Sequence, residues 1–313
     1  MHTTFFTQPQ QILVTGGTGF VGQHLIKALQ SDGHQVWVLT RHAKKAQALF
    51  KQSVQVVTDL DQLKQPLDVV INLAGARILG QRWTTARKAE LYKSRVGLTN
   101  KLVAWIAKNP SKPKLLLGAS AIGYYGIQAQ GDNHDLTEAS PSQAIFMSEL
   151  VQAWEQANAQ ACQYGVKVAV MRFGLVLGND GGALPMMLLP IKLGLGGKMG
   201  SGQQWLSWMH IEDLVRATAH IGILSLQAAA DFTPYNFTSP QPVHQVEFAQ
   251  TAAQLLHRPA FMPAPALPVR LLLGGQADLL LEGQKVLPQA LLASHFEFRY
   301  ADLTSALSAL VTA

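Results

Sequence analysis

Residues 14–22 read VTGGTGFVG and close the short apolar run QILV of residues 11–14. Gly16, Gly19 and Gly22 stand in the spacing G-x-x-G-x-x-G. Beyond them, Val21, Leu25, Ile26 and Leu29 fall on one helical face, and Gly33 closes the segment as a C′ glycine does. A strand, a glycine turn and an amphipathic helix in that order form a phosphate site. The glycines let the backbone turn tightly and approach a pyrophosphate, and the helix offers it free N–H groups and the positive end of its dipole. Gly16, Thr18, Gly19, Phe20, Val21 and Gly22 are therefore expected to hold a dinucleotide.

The pattern repeats outward from there. QVWVLT (35–40), VQVV (54–57), DVVINLAG (68–75), KLLLGAS (114–120) and VKVAVMRFG (166–174) read as further strands. Helical periodicity fills the gaps at 43–51, over one long helix at 84–108, and at 142–165. Strands that are apolar almost throughout and alternate with helices predict an α/β fold, a Rossmann-like doubly wound parallel sheet covered on both faces. Composition changes after about residue 230: 231–243 is turn-rich and 258–269 holds four prolines. The division expected is 1–234 for a dinucleotide-binding Rossmann-like domain and 235–313 for a small C-terminal lobe.

Composition narrows the partners. Of 313 residues, 48% are hydrophobic and 14% charged, enough apolar material for a large core. The net charge of +6 is scattered rather than clustered, which suits a small anionic ligand and argues against nucleic acid. The one cysteine, Cys162, allows no internal disulfide and reads as a core filler. The first residues resemble no secretion signal, and no apolar run is long enough to span a membrane. The expectation is a soluble cytoplasmic protein with a small-molecule substrate.

The end of the second strand indicates which dinucleotide. NAD sites usually carry Asp or Glu there for the ribose 2′-hydroxyl. Here Thr40 and Arg41 stand at that point, followed by His42, Lys44 and Lys45. A guanidinium grips a 2′-phosphate in bidentate fashion where a carboxylate would repel it, so NADP(H) is expected. Asp59, after the third strand, is a candidate for the adenine amino group. Leu73, Ala74 and Gly75 end the fourth strand, where small residues let a ribose approach.

The strings VTGGTGFVG, NLAGA, SAIGYYG, MRFGLVLG and WMHIEDLV, in that order, resemble the extended short-chain dehydrogenase/reductase superfamily. GGALPMMLLPIKLGLGGKMGSGQQWLSWMHIEDL and LLLEGQKVLPQALLASHFEFRY narrow the resemblance to its atypical YfcH-like epimerase-family members, over nearly the whole chain. That resemblance implies a nicotinamide cofactor, often NADP(H), and an oxidoreductase or nucleotide-sugar epimerase-like activity on a poorly defined substrate. It also implies cofactor contacts by Arg95, with Glu90 about a turn away, and by the backbone at Val176.

The superfamily's chemistry uses a Tyr to move a proton, a Lys one helical turn later to lower the Tyr pKa, and a Ser or Thr to polarise the carbonyl. Aligned on YYG at 124–126, those positions hold Phe146, Leu150 and Ala121. Tyr124 and Ser120 are the remaining catalytic candidates, with Tyr124 and Tyr125 also suited to packing under the cofactor. Further on, Trp205 and Trp208 beside Ser201, Gln203 and Gln204 suit a ring or sugar-like compound or a packed loop. His210 reads as structural and Asp213 as a helix start, and no ligand spacing calls for a metal. Two readings stay open: an enzyme with a non-standard mechanism, or a non-catalytic NADP(H)-binding sensor or scaffold.

Overall fold

The computed structural model describes residues 3–311. Its strands are β1 (Gln11–Thr15), β2 (Gln35–Leu39), β3 (Gln55–Val57), β4 (Val69–Asn72), β5 (Leu115–Ala121), β6 (Lys167–Phe173), β7 (Leu175–Leu177), β8 (Trp205–Leu206), β9 (Trp208–His210), β10 (Phe232–Phe237) and β11 (Val243–His244). The helices that matter for the site are α1 (Phe20–Ser31), α2 (Ala43–Phe50), α3 (Thr85–Tyr92), α4 (Leu98–Lys108), α5 (Phe146–Ala159), α6 (Leu184–Lys192), α7 (Ile211–Gln227), α8 (Gln245–Leu255) and α9 (Ala266–Leu273).

Seven strands form one parallel sheet in the order β10-β6-β5-β4-β1-β2-β3. The chain winds outward one way from β1 to β3, then returns to β4 and winds the other way. The strand order reverses between β1 and β4, and a crevice opens there at the carboxyl ends. Alternate side chains feed opposite layers. Ile12, Val14, Ile71, Leu115, Leu117 and Met171 join α1 and α7. Leu13, Val70, Leu116, Val168 and Val170 join α4 on the other face. Leu25, Ile26 and Leu29 of α1 are fully buried, each stabilising the fold by roughly 1.5–3 kcal/mol.

The expected helix over 84–108 is interrupted. A π turn at Lys93–Gly97 separates α3 from α4. The helix expected over 142–165 starts only at Phe146, tightens into a 3-10 turn at Gln160–Tyr164, and stops at Gly165 with φ 77°. The boundary expected between residues 234 and 235 cuts β10, so the chain leaves the sheet only after Phe237. The smaller apolar cluster beside the sheet draws on both sides of that line. It packs Leu184, Leu188 and Ile191 of α6 against Phe248 and Ala252 of α8 and against Leu303 and Leu307.

Candidate cofactor and substrate cavity

A cavity of about 3000 Å³ runs along the crevice from the glycine loop to α6 and α8. At its floor, Gly16 has φ 69°, and a Cβ there would sit 2.6 Å from the carbonyl oxygen of Leu73. A Cβ on Gly22 would sit 2.6 Å from the Gly16 oxygen, so this glycine lets α1 close on the turn. Gly19 is the N-cap of α1 and brings no capping side chain, and the first turn holds no acidic residue. The N–H groups at this helix end face the cavity uncapped, the arrangement that holds a pyrophosphate. Gly16, Thr18, Gly19, Phe20, Val21 and Gly22 all line it.

Phe20 has a further role that sequence reading missed. Cβ atoms on Gly178, Gly181 or Gly182 would meet its ring at 2.4, 2.6 and 3.0 Å. The glycines of the segment after β7 therefore form a cradle for the ring. His24, edge-on to Phe20, reaches Asp180 of that segment at 3.0 Å.

At the tip of β2, Thr40 and Arg41 line the cavity with His42 and Lys45. Arg41 is exposed and has no ion-pair partner among the described residues. No carboxylate stands on this strand end. Asp59 lines the same mouth, but its Oδ1 accepts from the Asp61 N–H at 2.9 Å within a capping box with Gln62. Leu73, Ala74 and Gly75 line the next stretch.

The π turn explains Arg95. It swings the guanidinium against Gly75, where a Cβ would sit 3.1 Å from Cζ. Nη2 donates to the Ala76 carbonyl at 3.0 Å, and the group lies 5.3 Å from the Trp154 ring. Ser94 accepts from the Ala76 N–H at 3.0 Å, pinning the same segment. Burial, then the charge of Arg87, pulls the Arg95 pKa down to about 10, so it remains a cation at neutral pH. Glu90 also lines the cavity, with its carboxylate on Arg87 at 2.6 Å.

The positions singled out by the superfamily resemblance are divided between some that line the cavity and some that do not. Ser120, Ala121 and Leu150 line the cavity; Phe146, Tyr124 and Val176 do not. Phe146 packs against Trp83 at 5.4 Å, with the Lys88 ammonium 4.6 Å from its ring centroid. Tyr124 lies with its ring 3.6 Å from the Arg172 guanidinium, and Ser120 donates its hydroxyl to Glu155 at 2.5 Å. Arg172 grips Glu155 through Nε and Nη2, both at 2.8 Å, and donates from Nη1 to the Tyr125 hydroxyl at 2.9 Å. Tyr125 in turn donates to Asn236 at 2.7 Å. Burial raises the Tyr125 pKa to about 12. Burial also works against the Arg172 charge, but the hydrogen bonds and charge of Glu155 hold its pKa above the ordinary value. The signal for this network in the sequence was Arg172, the charged residue inside the apolar run of β6.

Toward the far end, Trp205 lines the cavity and stacks on His244 at 3.8 Å. Trp208, Ser201, Gln203 and Gln204 do not line it. Trp208 is fully buried, donating to the Gln241 carbonyl at 3.1 Å. His210 is the N-cap of α7, and its ring packs on Tyr300 at 3.9 Å. Asp213, expected to start the helix, lies within the first turn instead. It accepts from the N–H groups of Arg299 and Tyr300 at 2.9 and 2.8 Å. The 76–84 segment covers the middle of the cavity and is tied to the C-terminal segment. Gly80 N–H donates to Gln276 at 3.0 Å, and Arg82 to the Leu271 carbonyl at 2.5 Å. Among the described residues, no group of three His, Cys, Asp or Glu converges as a metal would need, and no helix is long and apolar enough to cross a membrane.

Comparison with known proteins agrees with this architecture. The model of the NAD dependent epimerase/dehydratase family matches residues 12–228, and a domain of unknown function, DUF1731, matches residues 264–310. An epimerase family protein of Staphylococcus saprophyticus is 42% identical over 306 residues, covering 96% of this chain and 98% of that protein. The crystal structure of a human epimerase family protein with NADPH is 33% identical, with a TM-score of 0.82, covering 96% and 99% of the two chains. A nucleoside-diphosphate sugar epimerase structure from Corynebacterium glutamicum is 28% identical, with a TM-score of 0.74, covering 97% of this chain and 58% of that one. With its glycine-bound helix end, its switch-point cavity and these relatives, the chain belongs to the NAD dependent epimerase/dehydratase family within the extended short-chain dehydrogenase/reductases.

Proposed function

We propose that this protein is an NADP(H)-dependent oxidoreductase or epimerase-like enzyme. It acts on a small molecule in the cytoplasm and works without the usual Ser, Tyr and Lys. The observation that carries the cofactor choice is Arg41, a cation with no ion-pair partner among the described residues, at the tip of β2 where an NAD site would hold a carboxylate. The human relative solved with NADPH supports the same reading.

Each part of the cofactor has residues suited to it. The N-terminus of α1 with Gly16, Thr18, Gly19, Phe20, Val21 and Gly22 takes the pyrophosphate. Thr40 and Arg41 take the 2′-phosphate, with Lys45 adding positive field. Asp59, at the cavity mouth, takes the adenine amino group. Leu73, Ala74 and Gly75 leave room for the ribose, and Arg95 sits beside them as a fixed cation. The bound nicotinamide supplies or accepts a hydride. Ala121 and Leu150 exclude water at the reacting end rather than move a proton. Ser120 has its proton on Glu155, so it supplies an acid only by turning away from that carboxylate.

A fluorescence titration with NADPH and NADH tests the assignment. NADPH binds more tightly, and Arg41→Ala narrows the gap by about tenfold, the size of one charged hydrogen-bond pair. Equal affinities in the native chain would remove the NADP(H) choice. The apolar Phe146, Leu150 and Ala121 favour a second reading, a non-catalytic NADP(H) sensor or scaffold. NADPH oxidation by the native chain in a screen of carbonyl compounds would eliminate it. Turnover confined to Ala121→Ser/Phe146→Tyr/Leu150→Lys would establish it.

A further inference from the structure

The cavity is electrically lopsided. Every Lys, Arg and His that lines it falls between Arg41 and Lys108. Among the described residues from Ala119 to Gln284 the lining holds none, and its only carboxylates are Asp180 and Glu282. Both are already paired, Asp180 with His24 at 3.0 Å and Glu282 with Arg270 at 2.6 Å. The large apolar side chains that these later segments bring to the lining include Met147, Met186, Leu195, Trp205, Phe248 and Met262. Met186, Leu195 and Met262 are 73%, 54% and 46% exposed, large apolar side chains left open at the mouth.

Such a wall is a poor host for a nucleoside diphosphate. Its two phosphates would lose water against methionines, and the cations beside these walls are already engaged, Arg270 on Glu282 and Lys285 on Asp135 and over the Trp205 ring. The start of α6 is no substitute, because Pro185 in its first turn removes an N–H group and Phe20 fills the glycine cradle before it. The acid–base groups point the same way. Reducing a simple ketone creates an alkoxide nearly as basic as hydroxide, which needs a proton donor in place. Phe146 and Leu150 supply none, and Ser120 is committed to Glu155. A conjugated acceptor escapes this need. A quinone that accepts hydride becomes a hydroquinone anion, a phenolate with a pKa of about 10, and solvent can protonate it.

We propose that the substrate is an uncharged, apolar, conjugated carbonyl compound of the quinone class, and not a nucleotide sugar; this rests on the NADP(H) reading above. In the reaction, the C–H bond of the reduced nicotinamide breaks and its hydride passes to one quinone oxygen, forming an O–H bond. The ring π electrons shift the negative charge onto the other oxygen, which takes one proton from water. The products are NADP+, hydroquinone and hydroxide.

The test uses the full chain saturated with NADP+, after NADPH binding has been established by separate titration. Equilibrium dialysis follows duroquinone, a benzoquinone with no ring position open to thiols, and UDP-glucose. Duroquinone is retained and UDP-glucose is not. Met186→Lys and Leu195→Lys, both at exposed positions, weaken duroquinone retention about tenfold and leave NADPH affinity unchanged. Anaerobic NADPH oxidation then depends on duroquinone. Retention of UDP-glucose alone, or duroquinone retention indifferent to both substitutions, would overturn the proposal. Failure of NADPH itself to bind would overturn the cofactor reading instead.

Discussion

Ser120 and Glu155 share a 2.5 Å hydrogen bond at the back of the cavity, with the serine as donor. Arg172 holds both oxygens of the same carboxylate, so the serine's partner is fixed. Ser120 is thereby part of a buried network linking β5, β6, β10 and α5.

That network has a stability signature. Glu155→Ala leaves Arg172 buried and uncompensated, and costs about 3–5 kcal/mol. Urea unfolding reads the loss as a lower midpoint. Glu155 does not line the cavity, so the folded fraction keeps its NADPH affinity. An unchanged midpoint would show that the ion pair is replaceable.

The glycine loop makes a second prediction. Gly16→Ala puts a side chain at φ 69° and within 2.6 Å of the Leu73 oxygen. The left-handed backbone alone costs roughly 1–2 kcal/mol, and relief of the clash moves the turn away from the pyrophosphate. Thermal stability falls, and NADPH binding falls further than stability explains. Native-like NADPH affinity in this variant would separate the turn from the cofactor.

His210 makes stability depend on pH. Burial, then the charges of Arg299 and His24, lowers its pKa from 6.5 to about 4. The folded chain keeps the ring neutral, while the unfolded chain protonates it below about 6.5. More protons are bound unfolded, so stability rises with pH across this window and is lost on acidification from 6.5 toward 4. The contribution is up to about 3 kcal/mol. His210→Asn keeps a cap acceptor for the Glu212 N–H and removes the titration. Urea midpoints of the variant lose less between pH 7 and pH 5 than those of the native chain. Identical slopes would contradict the account.

Phe146→Tyr should not restore the superfamily's chemistry by itself. The ring lies against Trp83 and Lys88, outside the cavity lining. The added hydroxyl gains none of the ~10²–10⁴ that a placed general acid contributes. NADPH oxidation rates of variant and native chain, compared over one substrate panel, check this. A jump of that size in the single variant would place the position in the site after all.

The sheet was readable because its strands are apolar on both faces, and the loop because glycines stand where backbone crowds backbone. The break at Lys93–Gly97 was hidden. KSRVG carries no Pro, and the contacts of Ser94 and Arg95 with Ala76 that accompany its π turn join residues distant in sequence. β10 was hidden for another reason. Pro234 reads as a breaker, yet β10 is an edge strand that pairs only with β6, where a missing N–H is tolerated. The place of Arg41 at the cavity mouth was legible because it follows a strand directly. The commitment of Ser120 to Glu155 was not, since it joins residues that only the fold brings together.

A crystal structure of the chain grown with saturating NADPH tests the central claim most directly. The account predicts the pyrophosphate on the first turn of α1 and the 2′-phosphate against Arg41. A crevice that stays empty, or a dinucleotide whose 2′ position lies away from Arg41, would contradict it.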